Sequence, residues 1–264
     1  MVHSFSLFQY WFLLPVGIGI AVLVMSAGVS GAALWVPVYL LWLRLSVPLA
    51  FWLGLFTMLF GFGSGVYRNW RDGSYDGWLV RHFLTASVPA AFIGGWCAGL
   101  VNQKLLAGLF GIFLLIYGGA LAVRTMRDTL PPRRHDSIAY SAAVAGGALT
   151  GLIAIGVESL AMPIVLRHRS IRTPGEGIGS LVMIIFFTSV AATVGHLRPS
   201  FVAELHRQSG RVAAVMLWAG PAVVLGGQIG PRLAQKLPSE RHARLYFSVV
   251  LMLVGILTLW RTHA

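Results

Sequence analysis

The sequence predicts an all-α polytopic membrane protein made of two inverted repeats. Each repeat has about five helical segments, and the first helix of each half is broken or re-entrant. Three observations lead there. Apolar residues make up 57% of the 264-residue chain before its 31 glycines are counted, and charged residues make up 11%, against about 25% in a soluble domain. The apolar residues fall into long runs separated by short basic gaps. Two stretches, one in each half, repeat each other.

A soluble fold has nowhere to bury this much apolar surface. The composition, with a mean hydropathy of +0.77, therefore excludes a soluble globular enzyme, a disordered chain and a nucleic-acid-binding domain. The net charge of +12 does not reverse this. Its Lys and Arg residues are spread over short gaps, as in the cytoplasmic loops of membrane proteins, so no nucleic-acid partner is expected. The single cysteine, Cys97, lies in an apolar run and forms neither a disulfide framework nor a Cys-based metal site.

A spanning helix needs roughly 20 mostly apolar residues. Between the charges lie segments 7–43, 47–66, 79–101, 104–123, 138–166, 175–196, 211–230 and 239–260. The first follows almost no positive charge and exceeds the roughly 7–15 residues of a signal-peptide core. It reads as a retained span despite the small residues Ser26-Ala27-Gly28. It is also too long for one straight helix and carries the breaker Gly28-Val29-Ser30-Gly31. Segment 138–166 carries a related interruption, Gly156-Val157-Glu158-Ser159.

Charge bias decides how these two long runs cross. If each crosses once, Lys and Arg divide 11 to 9 between the two sides. If each folds back at its interruption, they divide 14 to 6. The basic loops at Arg68–Arg81, Arg124–Arg134, Arg167–Arg172 and Arg232–Arg244 then share a side, and only Arg198–Arg211 is misplaced. The fold-back reading puts both termini outside, on the periplasmic side of a bacterial inner membrane.

Residues 89–105 read PAAFIGGWCAGLVNQKL and residues 221–237 read PAVVLGGQIGPRLAQKL. Pro, Ala, Gly-Gly and Gln-Lys-Leu align without a gap. Pro37 and Pro48 have the same spacing as Pro163 and Pro174. The repeats are therefore 1–128 and 129–264, the second including the basic linker 129–137. Five segments is an odd number, so the second repeat starts from the opposite face. Inverted repeats of this kind are common in secondary transporters.

These residues resemble the TauE/SafE family, also called the toluene-sulfonate uptake permease (TSUP) family. The resemblance covers nearly the whole chain: its size, its related halves, and a Gly-rich stretch followed by Pro in each half. Those stretches are Ser26 to Gly31 with Pro37, and Gly151 to Glu158 with Pro163. The resemblance implies transport of sulfur-containing anions such as sulfite, sulfonates or sulfoacetate. The second half departs from the family pattern, with Ala154-Ile155-Gly156-Val157-Glu158 where a run of glycines is expected. The chemistry of that half of the site has changed.

A helix broken inside the bilayer exposes backbone N–H groups and the positive end of a helix dipole, which together form an anion site without a cationic side chain. The expected substrate-binding residues are Gly28, Val29, Ser30, Gly31 and Trp35 in the first half. In the second half they are Gly156, Val157, Glu158 and Ser159. Glycine lets a ligand approach the backbone, and Ser30 and Ser159 add hydroxyl donors. The bland reading of Gly28 and Gly31 is close helix packing. Glu158, the only acidic residue away from the ends of a membrane run, is a proton-coupling candidate or else a structural partner for Arg44, Arg167 or a backbone donor. Among the aromatics Trp35, Tyr39, Trp42, Phe51 and Trp52, only Trp35 is expected to face a ligand. Gly94, Gly95, Gly226 and Gly227 read as helix-packing residues, Gln228 as a weaker site candidate, and His196 as interfacial.

The sequence-level conclusion is a non-enzymatic permease for a small organosulfur anion, probed against two rivals. Gly28-Val29-Ser30-Gly31 matches the G-x-S-G pattern of rhomboid-type proteases with Ser30 as nucleophile, although the internal repeat has no place in a protease. A cation channel or exporter is the other rival. No G-x-x-x-x-G-K-[ST] nucleotide motif is present, and no cofactor or metal is called for.

Overall fold

The computed structural model describes residues 7–27, 31–127, 137–234 and 240–263. They form eleven α-helices and no strand among the described residues. The first half of the chain contributes α1 (Leu13–Ala27), α2 (Ala32–Pro37, continuing as a wider turn through Trp42), α3 (Val47–Arg71), α4 (Gly77–Ala98) and α5 (Gln103–Arg127). The second contributes α6 (Ser137–Ile153), α7 (Val157–Val165), α8 (Pro174–Gly195), α9 (Pro199–Arg207), α10 (Ser209–Ala234) and α11 (Glu240–His263). Five of these are long and apolar enough to cross a membrane: α3, α5, α8, and the Ser209–Gln228 and Arg244–Thr262 parts of α10 and α11.

Both interrupted runs fold back. Phe12, just before α1, stacks on Trp42 at 4.9 Å. Arg211 of α10 donates both to the Tyr10 hydroxyl and to the Leu43 carbonyl. The two ends of the first run therefore lie side by side, and α1 and α2 are the arms of one hairpin. In the second run, Tyr140 near the start of α6 bonds His82 at 3.0 Å. His82 stacks on Trp78, and the Trp78 ring lies 5.9 Å from His168, just past α7. The start of α6 and the end of α7 thus meet beside the start of α4. The nine residues of α7 reach only about 14 Å at 1.5 Å per residue, less than half of a hydrocarbon core of roughly 30 Å.

The hairpins enter from opposite ends. The mouth of the first is at Leu43, where α3 begins, and the mouth of the second lies beside the start of α4, which follows the far end of α3. Arg68, Arg71, Arg124, Arg127, Arg167, Arg169 and Arg172 gather at the second mouth, hereafter the basic end. Arg198 and Arg211, misplaced by the charge count, are engaged by protein. Arg198 lies over the Trp96 ring at 5.2 Å, and Arg211 holds the hairpin carbonyl. The short helix α9 was not foreseen. It begins at Pro199, buries Phe201 and leaves His206 and Arg207 exposed, too brief a pattern to stand out between two long runs.

Lipid offers no hydrophobic drive for helices to associate, so tight backbone contact has to do that work. α6 lies on α4 through Gly147 against Ser87 and Gly151 against Ala91 and Gly95. Gly94 faces α6 and Gly95 faces α8, because neighbouring helix positions point about 100° apart. A Cβ at Gly95 would lie 2.6 Å from the Ala192 carbonyl oxygen. Gly226 abuts Ala21 of α1, and the α5–α11 contact uses Gly111, Gly118 and Gly255. Gly227 departs from the packing role expected of it. It is one position round from Gly226 and faces open space. Gln228 is exposed.

Two outcomes follow. Gly95→Val should lower the unfolding temperature of purified protein, since overpacking costs about 1–3 kcal/mol, while Gly108→Val, where a Cβ meets nothing, should leave it unchanged. Single cysteines at Trp11 and Trp42, both exposed, in a Cys97→Ala background, should react with an impermeant maleimide from one face of sealed vesicles. Cysteines at Tyr140 and His168 should react only from the other.

Candidate functional site

The second hairpin turns through three residues. Ala154 closes α6 with φ +62° and Gly156 precedes α7 with φ +155°. A left-handed residue after a helix is usually glycine, so Ala154 holds a conformation that glycine adopts more cheaply. Gly156 has no alternative, because a Cβ there would lie 2.6 Å from Leu149 Cβ and 2.9 Å from the Gly146 carbonyl. Gly146 in turn lets the backbone of Val157 approach, a Cβ there lying 2.8 Å from Val157 Cα.

Breaking a helix leaves N–H groups at the start of α7 and carbonyls at the end of α6 without intrahelical partners. The Thr150 hydroxyl accepts from the Val157 N–H at 2.8 Å. His196, at the end of α8, donates Nε2–H to the Gly151 carbonyl at 2.8 Å. His196 is thus buried rather than interfacial, because an orphan carbonyl inside the bundle needs a donor. Neither Thr150 nor His196 stood out for this role, since the need arises only once the chain folds back.

Glu158 is 5% exposed and sits in the first turn of α7. Tyr117, near the middle of α5, turns its hydroxyl toward Ser159 and feels the Glu158 carboxyl. Gly156, Val157, Glu158 and Ser159 are therefore brought together with Thr150 and Tyr117 in one polar cluster at mid-span. Tyr117 was missed, although it is the one phenol in the apolar run 104–123 and was legible on that ground.

In the first hairpin Gly28, Val29 and Ser30 lie outside the described residues. The Gly31 carbonyl accepts from the N–H groups of Leu34 and Trp35. Trp35 is 1% exposed, stacks on Tyr39 at 5.4 Å and lies over Gly17, where a Cβ would be 2.8 Å from its ring. It locks the two arms together. Tyr39 donates to Thr57 of α3 at 2.7 Å, and Thr57 donates to the Met216 sulfur of α10. Phe51 packs on Phe110, Trp52 is buried, and Trp42 is exposed. The Trp35 cluster and the Glu158 cluster share no residue. Among the described residues, no group of three or more His, Cys, Asp or Glu side chains is placed to hold a metal ion.

A family model described as sulfite exporter TauE/SafE matches residues 13–258. The chain belongs to that family. It is also 24% identical over 208 residues to the probable membrane transporter protein YunE of Bacillus subtilis (strain 168), covering 72% of this chain and 71% of that relative. No solved structure matches it significantly. The family and the apolar helices make it a multi-pass membrane transporter.

Neighbouring positions of the second turn should respond in opposite directions. Gly156→Ala should destabilise by roughly 1–3 kcal/mol from strain and overlap. Ala154→Gly should be neutral or stabilise by up to about 1 kcal/mol. Thermal unfolding in detergent, read side by side, checks both.

Proposed function

We propose that this transporter is a secondary carrier of sulfur-containing organic or inorganic anions, such as a sulfonate, sulfoacetate or sulfite, working by proton cotransport. The observation that carries the reading is the buried Glu158 in the first turn of a re-entrant helix. The positive end of a helix dipole attracts negative charge. An ionised Glu158 occupies that field with its own carboxylate and repels a second anion. A protonated Glu158 vacates it, so that proton and anion load together and leave together. Ser159 and Tyr117 supply hydroxyl donors beside it, and a tetrahedral sulfur head presents several acceptor oxygens to such convergent donors. The first hairpin is the proposed other half of the site, with Gly28, Val29, Ser30 and Gly31 as its proposed anion-binding residues.

The entry of the two hairpins from opposite ends supports the reading of residues 1–128 and 129–264 as inverted repeats, rocking against each other to alternate access. The gathering of arginines at one end supports a cytoplasmic assignment for that face and periplasmic termini in a bacterial inner membrane. The protease alternative would need a histidine for Ser30, and His196 is committed to the Gly151 carbonyl.

The test is flux into proteoliposomes of sulfite, sulfoacetate, taurine, an aromatic sulfonate and a carboxylate control, with and without an imposed pH gradient. Saturable uptake of a sulfur anion, accelerated when the outside is acid, is expected. Glu158→Gln should abolish the acceleration while retaining substrate binding. Absence of flux for every sulfur anion would overturn the substrate class. Equal acceleration in Glu158→Gln would remove this residue from coupling.

A further inference from the structure

At the end opposite the basic one, a cavity of about 240 Å³ opens between the first hairpin, the start of α3, the start of α5 and the end of α11. Lys104 and Arg261 both line it, with Gln103 beside them, and no carboxylate is among its walls. Cations are sparse at this end, yet two of them face one cavity. Both are exposed at its open mouth, so an oxyanion entering from solvent meets two positive charges and no competing carboxylate among the lining residues.

The donors are placed for an anion. The Lys104 amine takes part in no hydrogen bond or ion pair among the described residues. Arg261 spends Nη1 on the carbonyls of Leu40, at 2.7 Å, and Leu41, at 3.0 Å. Its other nitrogens still carry donors, and the two carbonyls fix the position of the guanidinium. Glu204, which accepts from the cavity-lining Ser46 hydroxyl at 2.6 Å and from Gln208, is not itself among the lining residues.

We infer that this cavity is a binding site for a single oxyanion, held by Lys104 and Arg261 and separate from the hairpin tips. The oxyanion is a free sulfur or phosphorus oxyanion, or the phosphate of a lipid headgroup. Because Arg261 also holds the last carbonyls of the first hairpin, an anion here bears directly on how firmly that hairpin is clamped.

The test uses the full chain purified in detergent. Binding of inorganic phosphate, sulfite and methanesulfonate is followed by calorimetry, and retained phosphatidylglycerol by native mass spectrometry. Lys104→Gln leaves the Arg261 clamp intact and should weaken binding of a free anion roughly tenfold, the size of one lost charge-assisted hydrogen bond. Lys104→Arg should preserve it, and Glu158→Gln should not affect it. If no free anion binds but one phosphatidylglycerol is lost on Lys104→Gln and kept in Lys104→Arg, the site stands with a lipid headgroup as its source. If Lys104→Gln changes neither measurement, the site is refuted. Free-anion binding that persists unchanged in Lys104→Gln then belongs to the hairpin tips, whose reading stays in place.

Discussion

Everything in this bundle answers to one constraint: a backbone polar group inside a bilayer must find its partner within the protein. An unbroken helix satisfies itself, but two of the runs here are broken at depth. The repairs come from other elements. The Thr150 hydroxyl covers an N–H at the second turn and His196 covers a carbonyl there. Arg211 and Arg261 reach from α10 and α11 to the carbonyls that end the first hairpin. Each repair also fixes a position, so the polar partners of the breaks are what locate the hairpins in the bundle.

That requirement explains the glycines. A hairpin of two short arms has little surface of its own to bury, and it stays in place only where a neighbouring helix comes very close. α6 meets α4, and α1 meets α10, along small residues at Gly147, Gly151, Gly17 and Gly226. The pairing exchanges the halves, since each hairpin leans on a helix of the other half of the chain. The Gly-Gly pair of α4 serves two neighbours at once.

Much of this was legible in the residues. Long apolar runs announced the class, the breakers announced the hairpins, and the charge division chose fold-back over crossing. Helix ends ran past the first charge, as in α3, which continues from Val66 to Arg71, because a charged side chain at a helix end stays solvated without ending the helix. Glu158 was conspicuous as an acid in an apolar run. Thr150 and His196 were not, because ordinary polar residues acquire a role only from a partner remote in sequence. Trp35 was expected to face a ligand, but here it fills the gap over Gly17, a contact that links positions no periodicity relates.

The exchanged pairing also bears on how the chain is made. α1 begins at residue 13, and its partner α10 begins at residue 209. During synthesis the small-residue face of the first hairpin therefore enters the membrane long before the surface that covers it exists. The second hairpin finds α4 already in place. The two halves are thus unequal in biogenesis: one hairpin is docked as it is made, and the other waits until α10 has been made.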